Sequence, residues 1–343
     1  MQHEITQPIP LLDDHGNLTQ PGYAKRLLPV YDRSRVKGGV TRLKEWDYYY
    51  IGNDQYGIAL TVADNRYMGF DAISFVHLGD RPWQISKSPM SLFPMGSRGL
   101  PATSASGLTA SSGKGYQIHF AVKHGKRFLT AHMDRFRGDD PIDVHITLTQ
   151  EPEESMVICT PFSKKAHFYY NQKINCMRAQ GTVTIGSEVY PFEPDTSFAV
   201  LDWGRGVWTY KNTWYWGSAS GLINGVDFGF NIGYGFGDTS AATENMLFYG
   251  GKAHKLSEVT FHIPTKDGQE DYMAPWHFTS DDGRFEMEFV PILDRHTCSS
   301  VKVIESNQHQ VFGRFNGTAI LDDGTVLRVK NLTGFAEKVL NKW

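Results

Sequence analysis

From Arg42 onward, hydrophobic and polar positions alternate with the two-residue rhythm of strands. Trp46-Asp47-Tyr48-Tyr49-Tyr50-Ile51 is followed by a turn signal, Gly52-Asn53-Asp54-Gln55-Tyr56-Gly57, and the strand pattern resumes at Ile58–Ala63. Tyr67–Leu78 reads as a strand pair. Tyr116–Val122, Phe128–Phe136 and Asp143–Leu148 read as half-buried strands. Gly96–Gly115 is Gly/Ser-rich and reads mostly as loop around one short strand. Further strands are predicted near Val259–Ile263, Trp276–Thr279, Phe285–Val290, Val311–Phe315 and Ala319–Val329. Phe335–Leu340 fits either a short helix or a closing strand. Sustained three-and-four spacing, the mark of an amphipathic helix, is hard to find anywhere.

In Phe228-Gly229-Phe230-Asn231-Ile232-Gly233-Tyr234-Gly235 the period of two puts large residues on one face and mostly small ones on the other. Glycines inside a strand permit close approach by a packing group or a ligand. They do not form a dinucleotide fingerprint, which needs a strand-to-helix turn. The Gly/Ser-rich loop likewise lacks the spacing that cradles phosphates.

Two segments repeat: Arg178-Ala179-Gln180-Gly181-Thr182 resembles Arg314-Phe315-Asn316-Gly317-Thr318. Each leads through a turn and another strand to an acid, Asp202 in the first copy and Glu337 in the second. Trp46-Asp47-Tyr48-Tyr49 and Trp214-Tyr215-Trp216 open the two halves alike. A repeat this long is a duplicated domain and not a solenoid period. The expectation is an all-β chain of two tandem antiparallel barrels, which remove exposed strand edges. Residues 1–37 form a Pro-punctuated arm, 38–208 the first barrel and 209–343 the second.

Composition narrows the function. The chain has 343 residues, 13% aromatic and 21% charged, with a formal net charge of −3. That charge offers no electrostatic reason to bind nucleic acid. No apolar run has the length of a membrane span. The N-terminus lacks the features of a secretion signal, so a reducing cytoplasm is the expected setting. Cys159, Cys176 and Cys298 are odd in number and widely spaced; free thiols are expected, with no metal motif. His119, His124, His132 and His145 come from separate strands without a ligand spacing, so no metal is expected.

The densest aromatic patch is Trp208, Tyr210, Trp214, Tyr215 and Trp216, directly after Leu201-Asp202-Trp203-Gly204-Arg205. A carboxylate in apolar, π-rich surroundings loses hydration and holds its proton to higher pH. The alternative is a hairpin corner, with Asp202 capping a turn and the aromatics filling a core.

The line Tyr169-Tyr170, Gly181-Thr182-Val183, Tyr190-Pro191, Asp202-Trp203-Gly204, Trp214-Tyr215-Trp216, Met246-Leu247 resembles the signature of AttH-like proteins. That group includes hydroxyneurosporene synthase (a carotenoid hydratase), tocopherol cyclase and certain fungal Diels-Alderases. Glu45-Trp46-Asp47-Tyr48-Tyr49-Tyr50 and the Pro-rich start look like the bacterial family called domain of unknown function 2804, over nearly the whole chain. The resemblance implies tandem lipocalin-like barrels of the calycin type, with a ligand pocket in or between them. It also matches Asp202 to the acid of the enzymes' signature, although Trp203-Gly204-Arg205 departs from the residues that follow it there.

Two functions follow as expectations. The first is cofactor-independent catalysis on an apolar, lipid- or isoprenoid-like molecule by hydration, cyclisation or isomerisation. Asp202 would be the general acid. Trp203, Trp214 and Trp216, with Tyr170 and Tyr249, would line the pocket and stabilise positive charge. The second is a non-catalytic carrier using the same aromatics for contact area alone. Either ligand class is compatible with peripheral contact with a membrane.

Overall fold

The computed structural model describes residues 2–149, 151–301 and 304–342. The described chain is almost entirely β-structure. Its helical content is two single-turn 3-10 segments, Arg33–Arg35 and Val40–Arg42. The C-terminal segment that fitted helix or strand lies within the strand Val326–Lys342. Its burial alternates in the first half, as two-sided packing requires.

Two antiparallel sheets divide the chain. The first, of 14 strands, has Leu43–Gly52, Phe198–Val207 and Phe168–Ile185 adjacent at its centre. Trp83–Lys87 and Gly107–Gly113 end its main path. This sheet curls until its far parts meet: Asp71 accepts hydrogen bonds from Ser111 Oγ and Tyr116 Oη, both at 2.8 Å. Tyr49 and Phe120 stack edge-on at 4.9 Å across the interior. Leu60, Phe75, Leu129 and Trp203 help fill that core.

The second sheet has nine strands, with Lys211–Ile223 beside Val326–Lys342 at its centre. It wraps a separate core rich in phenylalanine, including Phe230, Phe278, Phe289 and Phe315. The chain leaves the first sheet at Val207 and enters the second at Lys211.

The arm ties into both halves. Gly22–Ala24 pairs with Met156–Pro161 of the first sheet, and Leu11 and Leu12 are buried in its core. His3 N–H donates to Ala241 O at 2.9 Å, and Gln2 Oε1 accepts from Thr243 N–H at 2.7 Å.

The outer faces of the two central strand pairs pack together along a seam. A bulge in the long strand Phe168–Ile185 supports it. Between Ile174 and Met177 the ladder slips, and Cys176 takes φ +62°. Asn175 Nδ2 then donates to Ser218 Oγ at 2.8 Å and Phe230 O at 3.0 Å, both on the other sheet. Gly229 makes room: a Cβ there would lie 2.7 Å from Cys176 Sγ. The repeated arginines cross the seam reciprocally. Arg178 of the first sheet pairs with Asp227 of the second half, and Arg314 of the second pairs with Asp54 of the first half at 2.6 Å.

None of the three cysteines is in a disulfide; Cys159 and Cys176 are buried and Cys298 is exposed. Burial pushes the thiols of Cys159 and Cys176 up, Cys176 to about 12. A thiol-reactive chromophore should therefore label Cys298 promptly in the native protein. The other two should react only after unfolding, because thiolate and access are both required. Prompt native labelling of two or more thiols would contradict this packing.

Candidate active site at the seam between the sheets

The repeat arginines give the register of the site. Arg178 pairs with Phe198, and the strand runs on from there to Asp202. Arg314 pairs with Thr333, and the equivalent strand runs on by the same offset to Glu337. The two acids of the repeat are thus structural equivalents. Asp202 has Lys173 and Tyr48 as ladder neighbours. Glu337 has Gln310 and Trp216 in the matching places. Because alternate strand residues share a face, all of these side chains project into the seam.

The two acids are held differently. Lys173 Nζ lies 3.5 Å from Asp202 Oδ1 and 3.2 Å from Glu244 Oε2. It also bonds Tyr169 Oη at 3.2 Å and Asn171 Oδ1 at 3.1 Å, and sits 4.8 Å over the Trp216 ring. The Lys173 side chain is 3% exposed. Burial alone would depress the pKa of this ammonium, but Asp202 and Glu244 outweigh burial and raise it above the ordinary lysine range. Asn171 Nδ2 adds a hydrogen bond to Asp202, whose side chain is 14% exposed.

Glu337 has no cation in the place of Lys173. Its partners are amide and indole N–H groups: Trp214 Nε1 at 3.0 Å, Gln310 Nε2 at 2.9 Å and Gln308 Nε2 at 3.3 Å. Burial raises its pKa to about 7, with the charge of Asp202 adding to the shift and Trp214 and Arg295 opposing it. Tyr48 stands between these groups. Its ring meets Trp216 edge-on at 5.8 Å, and its Oη accepts weakly from Gln310 at 3.4 Å. Burial pushes this phenol up to about 12. A carboxyl that changes protonation near neutrality, beside a salt-bridged carboxylate, has the components of a proton-transfer site.

One same-face step along the four central strands leads from Tyr48, Asp202, Trp216 and Glu337 to Tyr50, Val200, Ser218 and Phe335. This second row is the inner wall of a cleft of about 270 Å³. Phe198, Ala219 and Leu332 extend its apolar lining, while Asp54, Asp195 and Lys330 contribute polar groups. Tyr50 packs edge-on against Phe335 at 5.5 Å, forming a partition between cleft and acids. The Tyr50 hydroxyl is buried and, among the described residues, has no hydrogen-bond partner.

Of the residues singled out from the sequence, Asp202, Trp214 and Trp216 come together here. Trp203 follows Asp202 and therefore points the other way, into the first core, edge-on to Tyr170 at 5.5 Å. The Tyr170 hydroxyl donates to Pro29 O at 2.6 Å. Tyr249 packs at the second core. Lys173, Tyr48, Gln310 and Glu244 were not singled out as site residues. The available signal was Asn171-Gln172-Lys173, three polar residues inside an apolar strand. Among the described residues there is no metal-ligating cluster of three or more His, Cys, Asp or Glu side chains.

The sequence matches the family described as domain of unknown function 2804 over residues 2–343, and the chain belongs to that family. A comparison with curated proteins gives no match. Among solved structures, an AttH-type protein from Nitrosomonas europaea aligns with a TM-score of 0.50 at 12% identity, covering 87% of this chain and 92% of that one. Kievitone hydratase from Nectria haematococca aligns at 0.49 and 12%, covering 97% and 98%. CghA with Sch210972 aligns at 0.45 and 10%, covering 97% of each chain. At such identities the likeness to the AttH-type protein is one of fold. The fold is all-β, with two tandem lipocalin-like sheets of the calycin type.

Glu337 makes stability depend on pH with a definite sign. Its folded pKa, about 7, lies above the ordinary glutamate value of 4.5. Its contribution is therefore complete below about 4.5 and is lost as pH rises through about 7. Lys44 and Lys255, which burial lowers to about 7, stay mostly protonated in both states below that pH. Relative to Glu337→Gln, the wild type should lose about 2 kcal/mol between pH 5 and pH 7. Paired urea titrations of both proteins at the two pH values measure the difference. Parallel pH profiles would show that Glu337 is not the group responsible.

Proposed function

We propose that this member of the domain of unknown function 2804 family binds an apolar, oxygen-bearing small molecule at the seam and transfers a proton to it from Glu337. The carrying observation is the asymmetric pair of equivalent acids, one salt-bridged to Lys173 and the other, Glu337, raised to about 7. A carboxylic acid still partly protonated near neutrality can protonate a carbon–carbon double bond or a carbonyl oxygen. Trp216 and Trp214 lie beside it and would supply an apolar, water-poor wall to the cationic centre that such a step creates. On this reading the salt-bridged Asp202 takes up a proton from water or from the substrate in the reverse sense. Hydration, cyclisation and isomerisation share this first step. No cofactor is required by it.

Specificity would come from the cleft. Its apolar wall suits a lipid- or isoprenoid-like body, and the unpartnered Tyr50 hydroxyl offers one hydrogen bond to a ligand oxygen. A second reading, a carrier without turnover, draws on one observation: Glu337 is 3% exposed behind the Tyr50–Phe335 partition. For catalysis that ring pair must swing aside when the ligand enters.

Three measurements separate the readings. Native mass spectrometry of protein purified from its own host should reveal a co-purified apolar molecule. Displacement of a fluorescent polyene fatty acid measures cleft binding directly. Leu222→Trp, at a partly exposed position of the cleft lining, should weaken probe binding by about tenfold, or ~1.4 kcal/mol. Glu337→Gln should change it by less than about twofold, because it keeps the side chain's shape and lies behind the Tyr50–Phe335 pair, away from the cleft lining. With the co-purified molecule, Glu337→Gln should abolish solvent deuterium incorporation, and a wild type that also incorporates none would leave the carrier reading. Unchanged probe binding in Leu222→Trp would refute the cleft itself.

A further inference from the structure

One surface segment is not explained by the seam. Between Lys87 and Arg98 the chain reads Ser88-Pro89-Met90-Ser91-Leu92-Phe93-Pro94-Met95-Gly96-Ser97, without a charge. Leu92 is 79% exposed and Phe93 68%, with Met90 and Met95 also exposed. Other exposed large hydrophobic residues of the described chain are scattered singly along the sequence, which needs no explanation. Four within six residues do.

The segment is a built turn. Phe93 and Met95 both take φ +52°. Their N–H groups donate inward to Tyr67 O and Arg66 O, each at 2.9 Å. Gly96 N–H bonds Asp64 Oδ2 at 2.9 Å and Ser97 N–H bonds Pro94 O at 2.8 Å. Pro89 and Pro94 carry no N–H. The tip therefore presents apolar side chains while its amides face the protein, as entry into a hydrocarbon layer demands.

Charge points the same way. Between Asp80 and Asp134 the sequence has seven Lys or Arg and no Asp or Glu, within a chain whose net charge is −3; Arg98 and Arg127 are paired with Asp71 and Glu151, which leaves five. Lys87, at the loop's start, is exposed, and so is Lys114. Lys114 follows the strand carrying Ser111, which bonds Asp71, the residue whose N–H is held by Pro89 O. The exposed Asp134 at the far end of the stretch is engaged by His132. Four apolar side chains are too small an area for a stable protein interface, which takes about 800 Å² per partner. They suit shallow insertion beneath headgroups, with lysines attracted to anionic lipid.

We propose that residues 88–97 form a membrane-docking tip that places Leu92, Phe93, Met90 and Met95 in the interface of an anionic bilayer. Lys87 and Lys114 flank it and meet the headgroups. Docking of this kind would bring the chain to the phase in which apolar small molecules are dissolved. The proposal stands on the loop alone and does not require the reading of the seam.

Co-sedimentation tests it with the full chain and sucrose-loaded vesicles of phosphatidylcholine containing about 30 mol% phosphatidylserine. The wild type should pellet with these vesicles, and less with phosphatidylcholine alone or in high salt. Leu92→Ser/Phe93→Ser should reduce the bound fraction by roughly fivefold or more, with the thermal midpoint unchanged because both side chains are exposed. Should the double variant fail to fold, Phe93→Asp carries the same expectation. A wild type that stays in the supernatant overturns the proposal, as does a double variant that pellets like wild type. So does a wild-type dimer in light scattering that the double variant reduces to monomers, since the tip would then be covered by a second copy.

Discussion

The ammonium of Lys173 is the interaction on which the seam depends. A charge buried this deeply costs several kcal/mol unless partners compensate it. The compensation is divided between the two halves: Asp202 comes from the first sheet, and Glu244 lies in the segment that links two strands of the second. Tyr169 and Asn171 complete its coordination from its own strand. Glu244 is the partner that the second half adds, so this one buried charge ties the two sheets together. The reciprocal pairs Arg178–Asp227 and Arg314–Asp54 brace the same seam at its margins. They are more exposed to water, and screening reduces what they contribute. The bulge at Asn175 and Cys176 does the same work with neutral groups, pressing the Cys176 sulfur against Gly229 where a methyl group would not fit.

Duplication explains why two acids face each other, and one departure from it explains why they differ. Asp202 and Glu337 occupy equivalent places, as do Tyr48 and Trp216, and Asn171 and Gln308 each donate to the nearby carboxylate. The pairs break at Lys173 and Gln310. Lysine stabilises the charged carboxylate beside it, whereas glutamine supplies N–H groups and no charge. In a low-dielectric seam that difference separates a salt-bridged acid from one whose proton is retained to about pH 7. A functional asymmetry can thus arise from a symmetric framework by substitution at one ladder position.

How much of this could be read in advance follows from which interactions are local. The strands were legible because period-two patterning is a property of a few consecutive residues. So was the repeat, and with it the equivalence of Asp202 and Glu337. Trp214 and Trp216 were rightly placed on one face by their spacing. Trp203 was grouped with them by proximity in sequence, although adjacency within a strand sends it to the opposite face. Tyr170 and Tyr249 were drawn in the same way and belong to the two cores. The role of Lys173 was not legible. Its partners lie on another strand and another sheet, and long-range pairing of that kind leaves only a polar residue in an apolar run as its trace. The acid flagged from composition, Asp202, is the salt-bridged one, because the aromatic cluster raised the question of desolvation but could not show where the cation sits.

The partition between cleft and acids gives the last step. Tyr50 and Phe335 are themselves repeat-framework residues, lying beside Val200 and Ser218 in the row next to the acids. Their edge-on contact keeps water from Glu337, and burial is the largest cause of that group's raised pKa. Opening the partition to bare solvent would rehydrate the carboxyl and lower its proton affinity. Opening it by entry of an apolar body would not, since the ligand replaces the rings as the low-dielectric wall. The same closed packing that makes Glu337 hard to reach is therefore what keeps its proton available near neutrality. An apolar ligand is the kind of visitor for which reaching the acid and preserving its protonation are compatible.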